Sequence, residues 1–158
     1  MLFTLNRQAI MSVARLEQDP YVNLYFQPDT EDGGTGLVHF KDPYLDVFFQ
    51  WDRAKSNEVL RDRDFSFYYA RQVFRDRNAF PVPDPNNPNP KEDRYLEIGK
   101  AYGTYGEPLL IVVSMELYVD TIKIITAYPT SNPYYIRNYE QSIKNHQRAD
   151  SAYQRAPH

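Results

Sequence analysis

The side chains best suited to chemistry at a phosphate are the arginines and lysines between positions 53 and 77, namely Arg53, Lys55, Arg61, Arg63, Arg71, Arg75 and Arg77. Cations held in place can stabilise the charge of a phosphorane. The chain as a whole has a formal net charge of −3, with 18 basic and 21 acidic residues. A dedicated nucleic-acid binder usually shows a basic domain or stripe, so the overall charge argues against a nucleic-acid enzyme.

Groups that could transfer protons are sparse. Histidine is the side chain best suited to proton transfer near neutral pH, and the chain has three: His39, His146 and His158. None lies between residues 46 and 140, so any catalysis within that stretch would rely on lysine, arginine, tyrosine or carboxylate side chains. The sequence also has no cysteine, no Gly-rich phosphate loop, no Ser–His–Asp set and no His/Cys metal spacing.

A strand–helix–turn–helix unit from Asp46 to Phe74 must position the basic cluster. Val47–Phe49 is a short apolar strand, and helical spacing begins at Ala54. Asp64 ends the first helix, because a short polar side chain tolerates a left-handed turn. Ser66 is an N-cap candidate for a second helix with one apolar stripe, formed by Phe67, Ala70, Val73 and Phe74.

The first 45 residues form an acidic extension. The spacing predicts a helix from about Asn6 to Glu17, and then a possible hairpin of strands at Tyr21–Phe26 and Leu37–Phe40. Residues 1–50 carry 7 acidic and 3 basic side chains. We therefore expect residues 1–45 to pack against the basic helices.

Three further strands are predicted after a proline-rich stretch from Pro81 to Pro90, which is interpreted as a loop or as a PxxP ligand. They are Arg94–Ile98, Leu109–Val113 and Thr121–Ala127, and the second is apolar enough to be central. Asn132 and Pro133 begin a last helix. The pattern indicates an α+β fold with an antiparallel sheet of about four strands, and with two N-terminal-side helices and one C-terminal helix packed on one side of it.

Two motifs of this unit carry a family resemblance. Trp51-Asp52-x-x-Lys55 and the helix Ser66-Phe67-x-x-Ala70-x-x-Val73-Phe74 resemble the BrnT toxins, small RNases of the RelE-like group within the barnase/EndoU/RelE-like nucleases. The resemblance covers roughly residues 46–140. It implies a RelE-like domain at 46–144, with 1–45 as an extension and 145–158 as a polar tail. Where the family has Lys-His-Gly-Val at the tight turn, this chain has Asp62-Arg63-Asp64-Phe65.

The resemblance also implies site residues. Glu92 and Arg94 match an E-x-R motif, Lys123 and Tyr128 replace arginines of the family's last strand, and Arg137 and Tyr139 match an R-x-Y motif. The implied catalytic residues are Lys55, Arg94, Lys123, Thr126 and Tyr128, and the implied substrate-binding residues are Trp51, Arg137 and Tyr139.

The last strand presents a geometrical problem for this set. Thr126 and Tyr128 are two residues apart, so regular alternation places them on one sheet face with Ile122 and Ile124. Lys123 then points to the opposite face unless a bulge intervenes.

As a whole, the resemblance implies a toxin of a type II toxin–antitoxin system. Its activity would be that of a metal-independent endoribonuclease, in which a 2′-hydroxyl attacks the adjacent phosphorus. The implied partners are RNA and a cognate antitoxin, with no metal, cofactor or membrane, and the expected location is cytoplasmic. The alternative is a catalytically silent RelE-like binding or scaffold module. The structural alternatives make Trp51 a core residue, Lys55 a solvated lysine, Arg94 half of an ion pair and Arg137 a surface residue.

Overall fold

The computed structural model describes residues 19–87 and 93–155 of the chain. In these residues a six-stranded sheet has the strand order β1-β2-β6-β5-β4-β3. Its strands are β1 (Leu37–Lys41), β2 (Phe48–Asp52), β3 (Phe80–Pro83), β4 (Arg94–Tyr102), β5 (Pro108–Leu117) and β6 (Thr121–Pro129). The helix predicted at Asn6–Glu17 lies outside the described residues.

The α+β class is confirmed, but the prediction of about four antiparallel strands is wrong. β2 pairs with β6 in parallel, and the other neighbouring pairs of this sheet are antiparallel. β1 and β3 form the two edges. The predicted strand at Leu37–Phe40 is confirmed as β1, whereas the sequence pattern predicted no strand at β3. β5 lies between β6 and β4, so the prediction of a central strand at Leu109–Val113 is confirmed.

The predicted strand at Tyr21–Phe26 is a short 3-10 turn instead, at Val22–Leu24. The turn forms because Asp19 accepts two local hydrogen bonds: its carboxylate accepts from the Tyr21 amide at 3.0 Å, and its carbonyl accepts from the Val22 amide at 3.1 Å. β1 therefore pairs with β2 rather than with a partner in the extension.

A second difference lies in the proline-rich stretch, whose first residues form β3. Pro81 and Pro83 lie opposite Glu97 and Tyr95 of β4. Proline cannot donate to a sheet ladder and is tolerated on an edge strand, and β3 is such a strand.

The helices are α1 (Arg53–Arg63), α2 (Phe67–Ala70) and α3 (Pro133–Arg155), with a 3-10 turn (Arg71–Arg75) after α2. α1 begins where the Asp52 carboxylate accepts a hydrogen bond from the Lys55 amide at 3.3 Å. It ends at Asp64, whose φ of 66° is left-handed, as the sequence predicts. Ser66 precedes α2 but does not cap it, because its hydroxyl donates to the Leu24 carbonyl.

One face of the sheet, here named the covered face, holds the main hydrophobic core beneath α1, α2 and the 3-10 turn. Trp51 has no exposed surface, and its ring meets those of Phe67 and Tyr68 edge-on, with centroids 5.9 and 4.8 Å apart. Ile124 of β6 and Val59 of α1 belong to the same core. Burial of aromatic side chains of this size is a dominant stabilising contribution in a small domain.

Buried ion pairs attach the acidic segment to this face. The Arg71 guanidinium, which is fully buried, pairs with Asp19 and Asp42, and both carboxylates are also fully buried. Arg53, at the start of α1, pairs with Asp29 at 2.9 Å. Residues 19–45 therefore pack against the helices, and they neutralise part of the basic cluster.

α3 contacts a smaller core on the opposite sheet face, where Tyr135 packs against a cluster of Leu96, Ile98 and Val112. This corrects the expectation that all helices lie on one side. The Asn132 carboxamide accepts a hydrogen bond from the Tyr134 amide at 2.9 Å, which confirms Asn132 as the N-cap.

α3 also continues past Asn145, where a polar tail was expected. Two contacts with the segment before β3 hold this part of α3 in place. His146 is hydrogen-bonded to Asn78 at 2.7 Å, and Asp150 pairs with Arg77 at 3.2 Å.

Candidate active site

A β-bulge in the β5–β6 pair decides which side chains of β6 share a face. The register shifts between Ser114 and Met115, so Ser114 lies opposite Thr126 while Met115 lies opposite Ile124. Ile122 and Ile124 consequently join the main core. Lys123, Thr126 and Tyr128 share the other face, here named the open face. The expectation that the two isoleucines share a face with Thr126 and Tyr128 is wrong for this reason.

The outermost row of the open face is charged. Arg94, Glu116 and Lys123 are cross-strand partners on β4, β5 and β6, and Arg94 contacts the Glu116 carboxylate with N···O distances of 3.1 and 3.2 Å. Burial raises the pKa of Glu116, but hydrogen bonds from Tyr118 and Arg94 and the charges of Lys123 and Arg94 outweigh this effect. The pKa is therefore lowered, and Glu116 is ionised at neutral pH.

Arg63 reaches the open face beside Thr126 and Tyr128, which follow Lys123 along β6. Arg63 ends α1, and its guanidinium reaches around β6 to donate to the Ala127 carbonyl at 2.9 Å and to the Thr126 hydroxyl at 3.2 Å. The same guanidinium lies 5.9 Å from the centre of the Tyr128 ring. The sequence pattern gave Arg63 only as one member of the basic cluster and not as a site residue, although its place in the altered Lys-His-Gly-Val turn was a usable signal.

An acidic side chain also reaches this region from the segment after β3. Asp84 accepts a hydrogen bond from the Ser114 hydroxyl at 3.0 Å, and Ser114 is the cross-strand partner of Thr126. Burial, Tyr135 and the charge of Asp84 raise the pKa of Tyr128, and the charge of Arg63 opposes them. Tyr128 is therefore a neutral phenol with a proton to donate at neutral pH.

The remaining expected residues lie elsewhere. Lys55 is on α1, which packs on the covered face, and it pairs with Glu58 at 3.4 Å. Trp51 is enclosed in the core and has no surface to offer a substrate. Tyr139 is 5 % exposed and donates its hydroxyl to Asp76 at 2.6 Å. Arg137 is exposed on α3.

The structure thus brings Arg94, Lys123, Thr126 and Tyr128 to one face and leaves Lys55, Trp51 and Tyr139 out of it. Glu92 lies outside the described residues.

His39 is nearer to this face than its place in the extension suggested. It lies on β1 opposite Gln50 of β2, and Gln50 lies opposite Lys123. Its ring is exposed and contacts Phe48 with centroids 5.2 Å apart. Because neighbouring strands are about 4.8 Å apart, His39 lies roughly 10 Å from Lys123. The proximity of His39 to Lys123 depends on the pairing of β1 with β2, which the sequence pattern did not predict.

Comparison with known families identifies the chain. The family model of BrnT, the ribonuclease toxin of type II toxin–antitoxin systems, matches residues 51–132, which is more than half of the chain. The chain belongs to the BrnT family. The match begins at the last residues of β2 and ends at the N-cap of α3, so it includes the open-face residues of β4, β5 and β6. No curated protein matches the chain at a significant level.

Two absences hold for the residues that the structure describes. No group of three or more histidine, cysteine or acidic side chains there could hold a metal ion. No described helix has both the length and the apolar character needed to cross a membrane.

Proposed function

We propose that this BrnT-family protein is an endoribonuclease that cleaves RNA without a metal ion, by attack of a 2′-hydroxyl on the adjacent phosphorus. The observation that carries the proposal is the β6 bulge, which gathers cations and a phenol on the sheet face opposite the main core. The products would be a 2′,3′-cyclic phosphate and a free 5′-hydroxyl. Membership of a toxin family supports RNA as the substrate and an antitoxin as the partner.

The spacing of the rows favours a phosphate held over Thr126. Successive rows of one face are about 7 Å apart along a strand, so Lys123 approaches this point from one side and Tyr128 from the other. The Arg63 guanidinium is already within 3.2 Å of the Thr126 hydroxyl. Arg63 and Lys123 would stabilise the phosphorane, and Tyr128 would protonate the leaving 5′-oxygen.

Arg94 has a separate role in this proposal. It lies two strands from Lys123, which is about 10 Å. The Glu116 carboxylate, on the strand between them, also holds the Arg94 guanidinium. We assign Arg94 to a neighbouring phosphate of the same RNA strand, where it would hold the substrate in register.

The second candidate function is a module of the same fold that binds without cleaving. The Arg94–Glu116 ion pair favours it, because a cation already paired with a carboxylate is partly neutralised. Arg63 likewise uses part of its hydrogen-bonding capacity on β6.

Cleavage of single-stranded RNA and of total bacterial RNA, with and without ribosomes, distinguishes the two functions. In EDTA the wild-type protein is expected to release 2′,3′-cyclic phosphate ends. Lys123→Ala should lower the rate by ~10²–10³, as for loss of one group from a preorganised site. Lys144→Ala, an exposed lysine of α3, is the matched control and should cleave like the wild type.

Expression in bacteria provides an independent readout. Growth arrest by the wild type, relieved by Lys123→Ala at equal protein level, agrees with the toxin. Failure to cleave any of these RNAs, with EDTA or with magnesium, rejects the enzyme and leaves the binding module.

A further inference from the structure

Cleavage by a 2′-hydroxyl also requires a group that accepts the hydroxyl proton, and the proposed function leaves this group unassigned. We infer that Asp84 is this proton acceptor, an inference that rests on the proposed function. Asp84 lies in the segment after β3 and comes to the open face only through the fold. A carboxylate can serve as a general base when it lies within hydrogen-bond reach of the hydroxyl.

Two hydrogen bonds hold the Asp84 carboxylate in position. Oδ2 accepts from the Ser114 hydroxyl at 3.0 Å, and Oδ1 accepts from the Asn86 amide at 2.9 Å. Ser114 lies directly opposite Thr126 on the neighbouring strand. Ser114 is therefore about one strand spacing, roughly 5 Å, from the point where the phosphate is proposed to bind, and the carboxylate lies 3.0 Å from the Ser114 hydroxyl. Each carboxylate oxygen retains a lone pair for a further hydrogen bond.

Asp84 and the proposed proton donor act on one another electrostatically. The charge of Asp84 is among the causes that raise the pKa of Tyr128, after burial and Tyr135. Arg63 acts on the same phenol with opposite sign. An acceptor, a donor and a cation therefore surround the position over Thr126, which is the set of groups that the reaction requires.

The reaction step balances with these groups. The 2′-oxygen transfers its proton to Asp84 and forms a bond to phosphorus, while the bond from phosphorus to the 5′-oxygen breaks. The 5′-oxygen takes the proton of the Tyr128 hydroxyl and leaves as a free hydroxyl. Exchange with water then returns a proton to Tyr128 and removes the one on Asp84.

The other bases of this face are less well placed. Glu116 is engaged by Arg94 and Tyr118, and these contacts favour its ionised form over proton uptake. His39 is two strands from β6 and one row away from Thr126, which is about 12 Å. That distance exceeds what an acceptor of the same 2′-hydroxyl requires.

The test is the variant Asp84→Asn, assayed with a single-stranded RNA substrate. Asparagine keeps the shape and an acceptor oxygen for Ser114 but cannot take up the proton. We expect kcat to fall by ~10²–10⁴, with KM and the melting temperature unchanged. Asp120→Asn, an exposed aspartate of the β5–β6 turn, is the control and should behave as the wild type.

Ser114→Ala separates positioning from proton transfer. It removes the hydrogen bond that orients the carboxylate but keeps the carboxylate, so its loss in kcat should be smaller than that of Asp84→Asn. If Asp84→Asn cleaves RNA at a rate within threefold of the wild type, the inference is overturned and the proposed function remains intact. Loss of cleavage in His39→Gln, with Asp84→Asn active, has the same consequence. A wild type that cleaves none of the RNAs overturns both.

Discussion

The two faces of the sheet use the same strands for opposite purposes. On the covered face, side chains such as Trp51 and Ile124 are enclosed, and Arg71 is buried with its partners Asp19 and Asp42. On the open face, Lys123 and Tyr128 remain partly accessible, on the same strand as Ile124. The one-residue bulge in β6 sets this division. A family motif on a strand therefore cannot be assigned to a site until the register of that strand is known.

The difference between the two faces also explains how the basic residues between positions 53 and 77 are distributed. Arg53 and Arg71 belong to the covered face, where Asp29 and Asp19 neutralise them. Arg63 is the member of the cluster that contacts the open face. The cluster identified in the sequence is thus divided between buried ion pairs of the covered face and Arg63 at the candidate site, which agrees with a negative net charge.

The largest loss of stability is expected for Arg71→Ala, a substitution on the covered face. Asp19 and Asp42 would then keep Arg75 as their remaining buried partner, at 3.5 and 3.1 Å. Loss of one partner from a buried ionic group costs up to about 3–5 kcal/mol in unfolding free energy. Urea denaturation measures this loss. Arg61→Ala, an exposed arginine of α1, is the control and should stay within about 0.5 kcal/mol of the wild type. Equal stability of both variants would show that the extension does not stabilise the domain.

A smaller effect concerns Glu97, which lies opposite Val113 of the main core. Burial, with the charge of Asp76, raises its pKa from 4.5 to about 7. A carboxyl whose pKa is raised on folding stabilises the protein fully below pH 4.5, and this contribution is lost as the pH rises through 7. Wild-type stability should therefore fall by up to about 3 kcal/mol across this range.

Glu97→Gln removes the titrating group and should flatten that part of the pH profile. Urea denaturation at a series of pH values gives both curves. Parallel curves for the variant and the wild type would contradict the assignment of the pH dependence to Glu97.

Local chemistry was readable from the sequence where a few neighbouring residues decide the outcome. The left-handed exit at Asp64 and the N-cap at Asn132 are examples. Features that depend on distant partners were not readable. The bulge opposite Ser114 needs the pairing of β5 with β6, and the approach of Arg63 to Thr126 needs the packing of α1 along β6. Asp84 was hidden for the same reason.

The central claim is that RNA binds the open face and not the helices that cover the other one. The most direct measurement is the affinity for a single-stranded RNA carrying 2′-O-methyl groups, which cannot be cleaved, at several salt concentrations. We predict that Arg94→Ala/Lys123→Ala weakens binding and lowers the salt dependence, by about one unit of the log–log slope for each phosphate that the protein no longer neutralises. The double variant Lys55→Ala/Arg61→Ala, which removes two cations of α1, should leave the affinity and its salt dependence unchanged. Loss of binding in the α1 pair, with the open-face pair unaffected, would contradict the account.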